Sequence, residues 1–359
     1  MNISLIESSN AFGLKTEGIP CGNGHINSTF TAEKDGEQYI LQLINTSVFK
    51  NPADMMNNIC KVTKHIREKV IQAGGDVERE TMNMLSTIDG KNFFVASNGD
   101  TYRAYKFIKD SITIDTNATP EEFKEAGYGF GKFQKYLADF PASELVETIV
   151  DFHHTPKRIE KLKESIKADT FNRVKNCEDI IEYILKYENE AGIVIDGLNN
   201  GDIPVRVTHN DTKLNNILFD KDTKKAVCVI DLDTVMPGSM LYDFGDAIRY
   251  GASTATEDEK DLDKVSLDLK LFEGFAYGFA TALEGVFTKT EIELLPFSSK
   301  LLTYELVVRF LDDYLNGYTY FKTKYLEHNL VRTKNQLKIC QDIDLKMNEM
   351  HKIIKDIVK

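Results

Sequence analysis

With 359 residues, the chain is long enough for one large domain or for two lobes with separate cores. Hydrophobic content of 42% and charged content of 28% are those of an ordinary globular protein. A formal net charge of -12 argues against a nucleic-acid partner, which needs a basic face, but leaves room for a nucleotide held by one local cation and a metal.

Residues 28 to 33 and 38 to 44 read as strands, and Asp35-Gly36 between them is a hairpin signal. Residues 52 to 72 read as a helix. Pro52 sits at its start, and Met55, Ile59, Val62, Ile66 and Val70 recur at helical spacing. A second strand pair, 92 to 96 and 101 to 108, is joined through Asn98-Gly99, a pair suited to the positive φ angles of a tight turn. The pattern then becomes helical. Thr119-Pro120-Glu121-Glu122 is a capped helix start, and residues 156 to 191, 260 to 284, 290 to 316 and a tail from about 332 are expected as helices. Two short strands, Ile217 to Phe219 and Ala226 to Ile230, interrupt them. The boundary falls near Lys109 to Thr113, which gives an N-terminal lobe of 1–110 and a C-terminal lobe of 111–359.

Five cysteines (Cys21, Cys60, Cys177, Cys228 and Cys340), odd in number and without C-x-x-C spacing, point away from disulfides or structural zinc and towards a reducing cytoplasm. No signal peptide is expected from the opening residues. No apolar run approaches the ~20 residues of a membrane span, so no membrane partner is expected. Oligomeric state is left open.

The segment with chemistry in it is His209-Asn210-Asp211-Thr212-Lys213-Leu214-Asn215-Asn216, followed by Asp231-Leu232-Asp233. Phosphoryl transfer from ATP needs a carboxylate beside the attacking hydroxyl and ligands for the metal that holds the phosphates. His-x-Asp-(four residues)-Asn puts a carboxylate and an amide on one loop, and the hairpin after it delivers Asp231. Asp211 is then the base that orients the acceptor hydroxyl and takes its proton. Asn216 and Asp231 are hard-oxygen ligands for magnesium. His209 shapes the loop. Asp233 shares a strand face with Asp231; either can ligate the metal while the other binds substrate. Lys213 reads equally as a phosphate contact or a solvated lysine. Asp243 and Asp246 read as a helix start that braces the loop. A polar loop with turn hydrogen bonds is the bland alternative for each of these residues taken singly.

This segment resembles the aminoglycoside phosphotransferase and choline kinase family, and implies its α+β, two-lobed protein-kinase-like fold. The expected N-lobe is a small antiparallel sheet with one main helix, and the expected C-lobe is larger and mainly helical. The stretches CGNGHINSTF, VIDLDTVMPGSMLYDFGDAIRYGAST and KYLEHNLVRT resemble, within that family, the kinases that phosphorylate N-acetylhexosamines at the anomeric oxygen. The likeness runs from about Gly18 to Gln341. It implies ATP as co-substrate, Mg2+ as cofactor, N-acetylglucosamine or N-acetylgalactosamine as acceptor, and an α-1-phosphate as product. It favours Arg309 as a hydrogen-bond donor to the sugar or a phosphate and suggests Tyr320 as a sugar contact, beside Asp211, Asp231 and Asp233 as substrate-binding residues. The plainer alternatives are an Arg309 paired with Asp312 or Asp313, and a Tyr320 packed among its aromatic neighbours. It also favours Gly22, Gly24 and Asn27 as a phosphate-facing turn, with Phe107 and Ile108 at an adenine hinge.

One departure stands out. The strand Tyr39 to Ile44 carries Gln42 where most of the broader group has a phosphate-contacting lysine. The exchange is normal for this branch, or another cation compensates, or the nucleotide site is weakened. The last case gives an alternative from another class, an inactive nucleotide-binding scaffold. A third possibility is a kinase of a different small alcohol: choline, ethanolamine, homoserine or an aminoglycoside.

Overall fold

The computed structural model describes residues 2–21, 27–114 and 118–359. In chain order the elements are α1 (Ile3–Phe12), β1 (Ser28–Lys34), β2 (Glu37–Ile44), α2 (Pro52–Gln72), β3 (Met84–Leu85), β4 (Phe94–Val95), β5 (Thr101–Lys106), β6 (Ser111–Ile112), α3 (Pro120–Tyr136), α4 (Thr155–Ala168), α5 (Glu178–Lys186), α6 (Ile193–Asn200), β7 (Arg206–Thr208), β8 (Ile217–Asp220), β9 (Ala226–Val229), β10 (Met236–Gly238), α7 (Met240–Gly251), α8 (Leu269–Ala282), α9 (Lys289–Leu315) and α10 (His328–Ile357). They form two compact units. One comprises Met1–Thr113, Tyr136–Val150 and Asn216–Pro237; the other comprises Ile114–Lys135, Asp151–Asn215 and Gly238–Lys359.

The first unit holds an antiparallel sheet in the order β1-β2-β5-β3, with β4 also on β5. Asp35 (φ 52°) and Gly36 (φ 78°) both take the left-handed conformation that a two-residue hairpin turn requires. In the loop from β4 to β5, of the Asn98-Gly99 pair only Gly99 has positive φ, at 87°. A longer turn closes there, with the Ala96 and Asp100 backbones paired at 2.8 Å. The strands are also shorter than expected, because β4 covers two residues only.

Helix α2 starts at an Asn51 cap and buries Met55, Met56, Ile59, Val62, Ile66 and Val70, the stripe its spacing predicts. Helix α1 has no such signal. The residues it buries include Ser4, Ser8 and Ser9 alongside Leu5 and Phe12, so its inner face does not read as apolar. A second sheet, β6-β8-β9, completes this unit. In it Ile217 lies opposite Val229, and Asn216 O accepts from Ile230 N at 2.9 Å.

In the second unit α3 begins with a reciprocal cap. Thr119 Oγ1 accepts from Glu122 N at 3.2 Å, and Glu122 Oε2 accepts from Thr119 N at 2.9 Å. The helix expected over 156 to 191 is broken after Ala168. Asp169 (φ 35°) and Asn172 (φ 53°) turn the chain, and the Asp169 carboxylate accepts from Arg173 N at 2.8 Å and Val174 N at 3.1 Å. That local bonding competes with the helix ladder. Likewise α8 starts at Leu269 rather than near 260, because Asp268 caps it through Lys270 N at 2.7 Å. Helix α7 packs close against α9. A Cβ on Gly245 would stand 2.3 Å from Ser298 O, so only glycine fits there. Among the described residues no helix is long and apolar enough to cross a membrane. The five cysteines are free thiols.

Candidate active site

In the second unit the segment from His209 to Lys213 hangs on carboxylates of α7. The His209 ring is fully buried, edge-on to Phe130 and Phe133 at 5.8 and 5.9 Å, and its Nδ1 accepts from Asp211 N at 3.2 Å. Asp243 Oδ2 accepts from His209 N at 3.0 Å and from Gln134 Nε2 at 2.6 Å, and Asp243 Oδ1 accepts from Asn210 N at 2.8 Å. Burial pushes the Asp243 carboxyl above its ordinary pKa, although His209 and these donors pull the other way. Thr212 donates its hydroxyl to Asp243 O at 2.6 Å and its N–H to Asp246 Oδ2 at 3.1 Å. Asp246 is itself held by Arg249 Nη2 at 2.9 Å. The Asp243 and Asp246 side chains therefore brace backbone N–H groups of the loop, as the sequence led us to expect.

Asp211 Oδ1 forms an ion pair with Lys213 Nζ at 2.7 Å. Burial alone would depress the Lys213 ammonium. Asp211, with Asp246 further out, instead holds it above its usual range. Lys213 is thus neither a purely solvated lysine nor a free one. This pairing was not legible in the sequence, where two residues of separation inside a loop say nothing of direction.

In the first unit the β8–β9 register sets Asn216 opposite Ile230, one residue from Asp231. Asp231 is left-handed (φ 60°, ψ 56°) and opens a single 3-10 turn, Leu232–Thr234. Asn216 and Asp231 supply an amide and a carboxylate oxygen. That donor set suits an ion that takes its other ligands from phosphates and water, as magnesium does. Among the described residues no group of three or more His, Cys, Asp or Glu could hold a metal by itself.

Asp233 is 3% exposed and engaged at both oxygens: Arg103 Nη1 pairs with Oδ1, and Asn27 Nδ2 donates to Oδ2 at 2.6 Å. Gln42 faces Arg103 across β2 and β5. Its Oε1 accepts from Arg103 Nε at 2.9 Å and Nη2 at 2.6 Å, while its Nε2 donates to Thr29 Oγ1 at 2.9 Å. Burial would lower the Arg103 pKa, but Asp233, Tyr105 and Asp231 raise it, so the guanidinium stays charged. The small sheet therefore does contain a buried cation beside Gln42, on the neighbouring strand. Gly22 and Gly24 lie outside the described residues. Phe107 N donates to Gln38 O at 3.0 Å, and Ile108 is buried with its O accepting from Ser111 Oγ at 2.7 Å.

Arg309, on α9 in the second unit, does not pair with Asp312 or Asp313. Asp312 is taken by Ser165 and Lys161, and Asp313 by Asn329 and the Tyr320 and Phe321 N–H groups. Its carboxylate neighbour is Glu305, one turn earlier, at 3.9 Å. Glu305 also accepts from His153 Nδ1 at 3.1 Å and Thr155 Oγ1 at 2.9 Å. Burial alone would raise the Glu305 carboxyl, but His153, then Arg158 and Arg309, bring it down to about 2. The Arg309 guanidinium lies over the rings of Phe152, Tyr320 and Phe321 at 5.8, 5.6 and 5.5 Å. Tyr320 is 67% exposed, so it is not the packed tyrosine of the plainer reading.

The second unit also contains a cavity of about 750 Å³. Its lining includes Leu214 of the loop, Arg249 of α7, Glu257, Asp258, Arg332 and Gln336. Arg249 joins it to the loop, since it bonds Glu257 Oε1 at 2.9 Å as well as Asp246.

Comparison with known proteins gives the same architecture. The structure is similar to a microcompartment-associated aminopropanol kinase (13% identity, 97% of each chain, TM-score 0.60). It is similar to spectinomycin phosphotransferase APH(9)-Ia in complex with ADP and spectinomycin (14% identity, 97% of each chain, TM-score 0.55). It is also similar to a choline kinase from Cryptosporidium parvum Iowa II (13% identity, 96% of this chain and 94% of that one, TM-score 0.56). Identities of this size speak to the fold: mixed α and β, protein-kinase-like, with a small antiparallel sheet and a helical C-terminal region. Residues 17–263 match the APH family model, described as the phosphotransferase enzyme family. The chain belongs to that phosphotransferase family.

Proposed function

We propose that this protein is an ATP- and magnesium-dependent N-acetylhexosamine 1-kinase. The observation that carries the reaction type is the braced loop. Its carboxylate, Asp211, sits on a backbone fixed by Asp243 and Asp246 and is held by Lys213. In this reading Asp211 accepts the proton of the acceptor hydroxyl as that oxygen attacks the γ-phosphorus of ATP and the bond to the ADP oxygen breaks. An anomeric hydroxyl is more acidic than an ordinary alcohol, so a carboxylate base suffices. Asn216 and Asp231 would hold Mg2+, which when bound offsets charge on the phosphates. Lys213 keeps the Asp211 carboxylate oriented.

The acceptor assignment rests on the sugar-kinase resemblance of the flanking stretches and on the surroundings of Arg309. An aromatic cage for a quaternary ammonium needs open ring faces. Here Phe152, Tyr320 and Phe321 already carry Arg309, with Arg158 and His153 beside Glu305. Such a cluster suits a neutral, hydrogen-bonding acceptor with an amide or hydroxyl to bind. A second reading has one observation in its favour. Glu257, Asp258, Glu259 and Asp268 line the cavity by Leu214, which would suit an amine-bearing alcohol. A panel of N-acetylglucosamine, N-acetylgalactosamine, choline, ethanolamine and an aminoglycoside, read by ADP release, separates the two. ADP release with the N-acetylhexosamines alone supports the first reading, and preference for an amine overturns it. No release with any acceptor would favour the inactive scaffold.

A further inference from the structure

The position expected to hold a phosphate-contacting lysine is Gln42, and the structure gives that glutamine a different task. Its amide oxygen receives two N–H groups of Arg103, its cross-strand partner, and so fixes the plane of the guanidinium. The third arm of the fork, Nη1, reaches Asp233. Arg103 is 1% exposed, so a bound phosphate does not reach it in this arrangement; whatever it does, it does through its neighbours. An arginine so deeply buried is tolerated only with paired and hydrogen-bonded partners, and this one has both.

The partner it holds lies two residues beyond Asp231. Asp231 is a non-glycine residue in the left-handed region, a conformation that persists where the surroundings over-determine it. The turn after Asp231 is anchored at Asp233 by Arg103 and Asn27, and at Val235 O by Asn58 Nδ2 at 3.0 Å. Asn27 is fixed in turn, because its Oδ1 accepts from Asn45 N at 2.9 Å. Strand β5, the residue just before β1 and α2 thus converge on one short turn. We infer that Arg103, oriented by Gln42, is a positioning residue that sets Asp231 for a divalent cation by gripping Asp233. The inference rests on the reading of Asp231 as the metal ligand. It also gives a reason for glutamine at position 42. A neutral acceptor orients the guanidinium without competing with Asp233 for its charge, whereas a lysine there would repel it.

Binding measurements on the full chain test this without turnover. Mn2+ stands in for magnesium, and its free concentration is read by electron paramagnetic resonance as it is titrated into the ADP complex. Asp233→Asn and Gln42→Lys are each expected to weaken Mn2+ loading by about tenfold or more, the size of effect that outer partners of metal ligands have. Affinity for metal-free ADP is expected to stay unchanged in Asp233→Asn. Arg103→Lys keeps the charge but cannot span Gln42 and Asp233 together, so it is expected to fall between them and the unaltered chain. Unchanged Mn2+ loading in the folded Asp233→Asn and Gln42→Lys variants overturns the inference. So does an equal loss of metal-free ADP binding in Asp233→Asn, which would mark a packing role only. Failure of the unaltered chain to bind Mn2+ with ADP would instead overturn the kinase reading, and this inference with it.

Discussion

Two aspartate-bearing segments, 209–213 and 231–233, are held by opposite strategies. In the first, α7 supplies carboxylates that accept backbone N–H groups from His209, Asn210 and Thr212, and Asp211 is left with a partly exposed lysine partner. In the second, the brace is side chain to side chain. A buried arginine and an asparagine grip Asp233, and Asp231 takes a left-handed backbone. Bracing through the backbone fixes where a loop runs. Bracing through a neighbouring side chain suits a residue that must present oxygens at one fixed geometry.

Breaking the first brace at its centre should have the largest effect. Asp211→Ala is expected to lower turnover by about a hundredfold or more, the contribution of a general base, with an unchanged melting temperature. Turnover near that of the unaltered protein would remove Asp211 from the mechanism. Asp243→Ala strikes the brace itself and leaves buried donors at His209, Asn210 and Gln134 without their acceptor. It should cost about 2–4 kcal/mol in denaturant unfolding, together with activity. A loss in activity alone would show that the loop holds its shape without α7.

Glu305 gives a pH-dependent contrast. Its carboxyl is lowered from 4.5 to about 2, so the stability it contributes is fully present above about 4.5 and is lost as pH falls towards about 2. Glu305→Gln is therefore expected to be clearly less stable than the unaltered chain near neutral pH, with the gap narrowing through that acid window. A gap that stays constant with pH would contradict the charge-based account of the cluster. The smallest effect is expected for Lys213→Met. Its ion pair is partly solvated, so stability should change by about 1 kcal/mol or less, while turnover falls more clearly. Unchanged turnover would mean that Asp211 needs no orienting partner.

Legibility in the sequence followed locality. The β1–β2 hairpin, α2, the Thr119 cap and the β8–β9 hairpin were readable because each is specified by residues a few positions apart. So was the bracing role of Asp243 and Asp246. What escaped depended on distance or on competition. Helix α1 buries serines, so its stripe is invisible to a hydrophobic pattern. The break at Asp169 comes from a side chain that outbids the helix ladder. Arg103 meets Gln42 across a strand register that spans 61 positions, and nothing near either residue announces it. The plainer alternative for Arg309 paired it with Asp312 or Asp313, but both are engaged elsewhere and Glu305 is its carboxylate neighbour.

The central claim is phosphoryl transfer to an anomeric oxygen, and phosphorus NMR of the product tests it most directly. The protein, ATP and Mg2+ are incubated with N-acetylglucosamine or N-acetylgalactosamine. The expected result is a new phosphomonoester resonance coupled to the anomeric proton, whose own small coupling to the proton on C2 marks an α-1-phosphate. A phosphate coupled to any other sugar proton, or no sugar phosphate while an amino alcohol is phosphorylated under the same conditions, would contradict it.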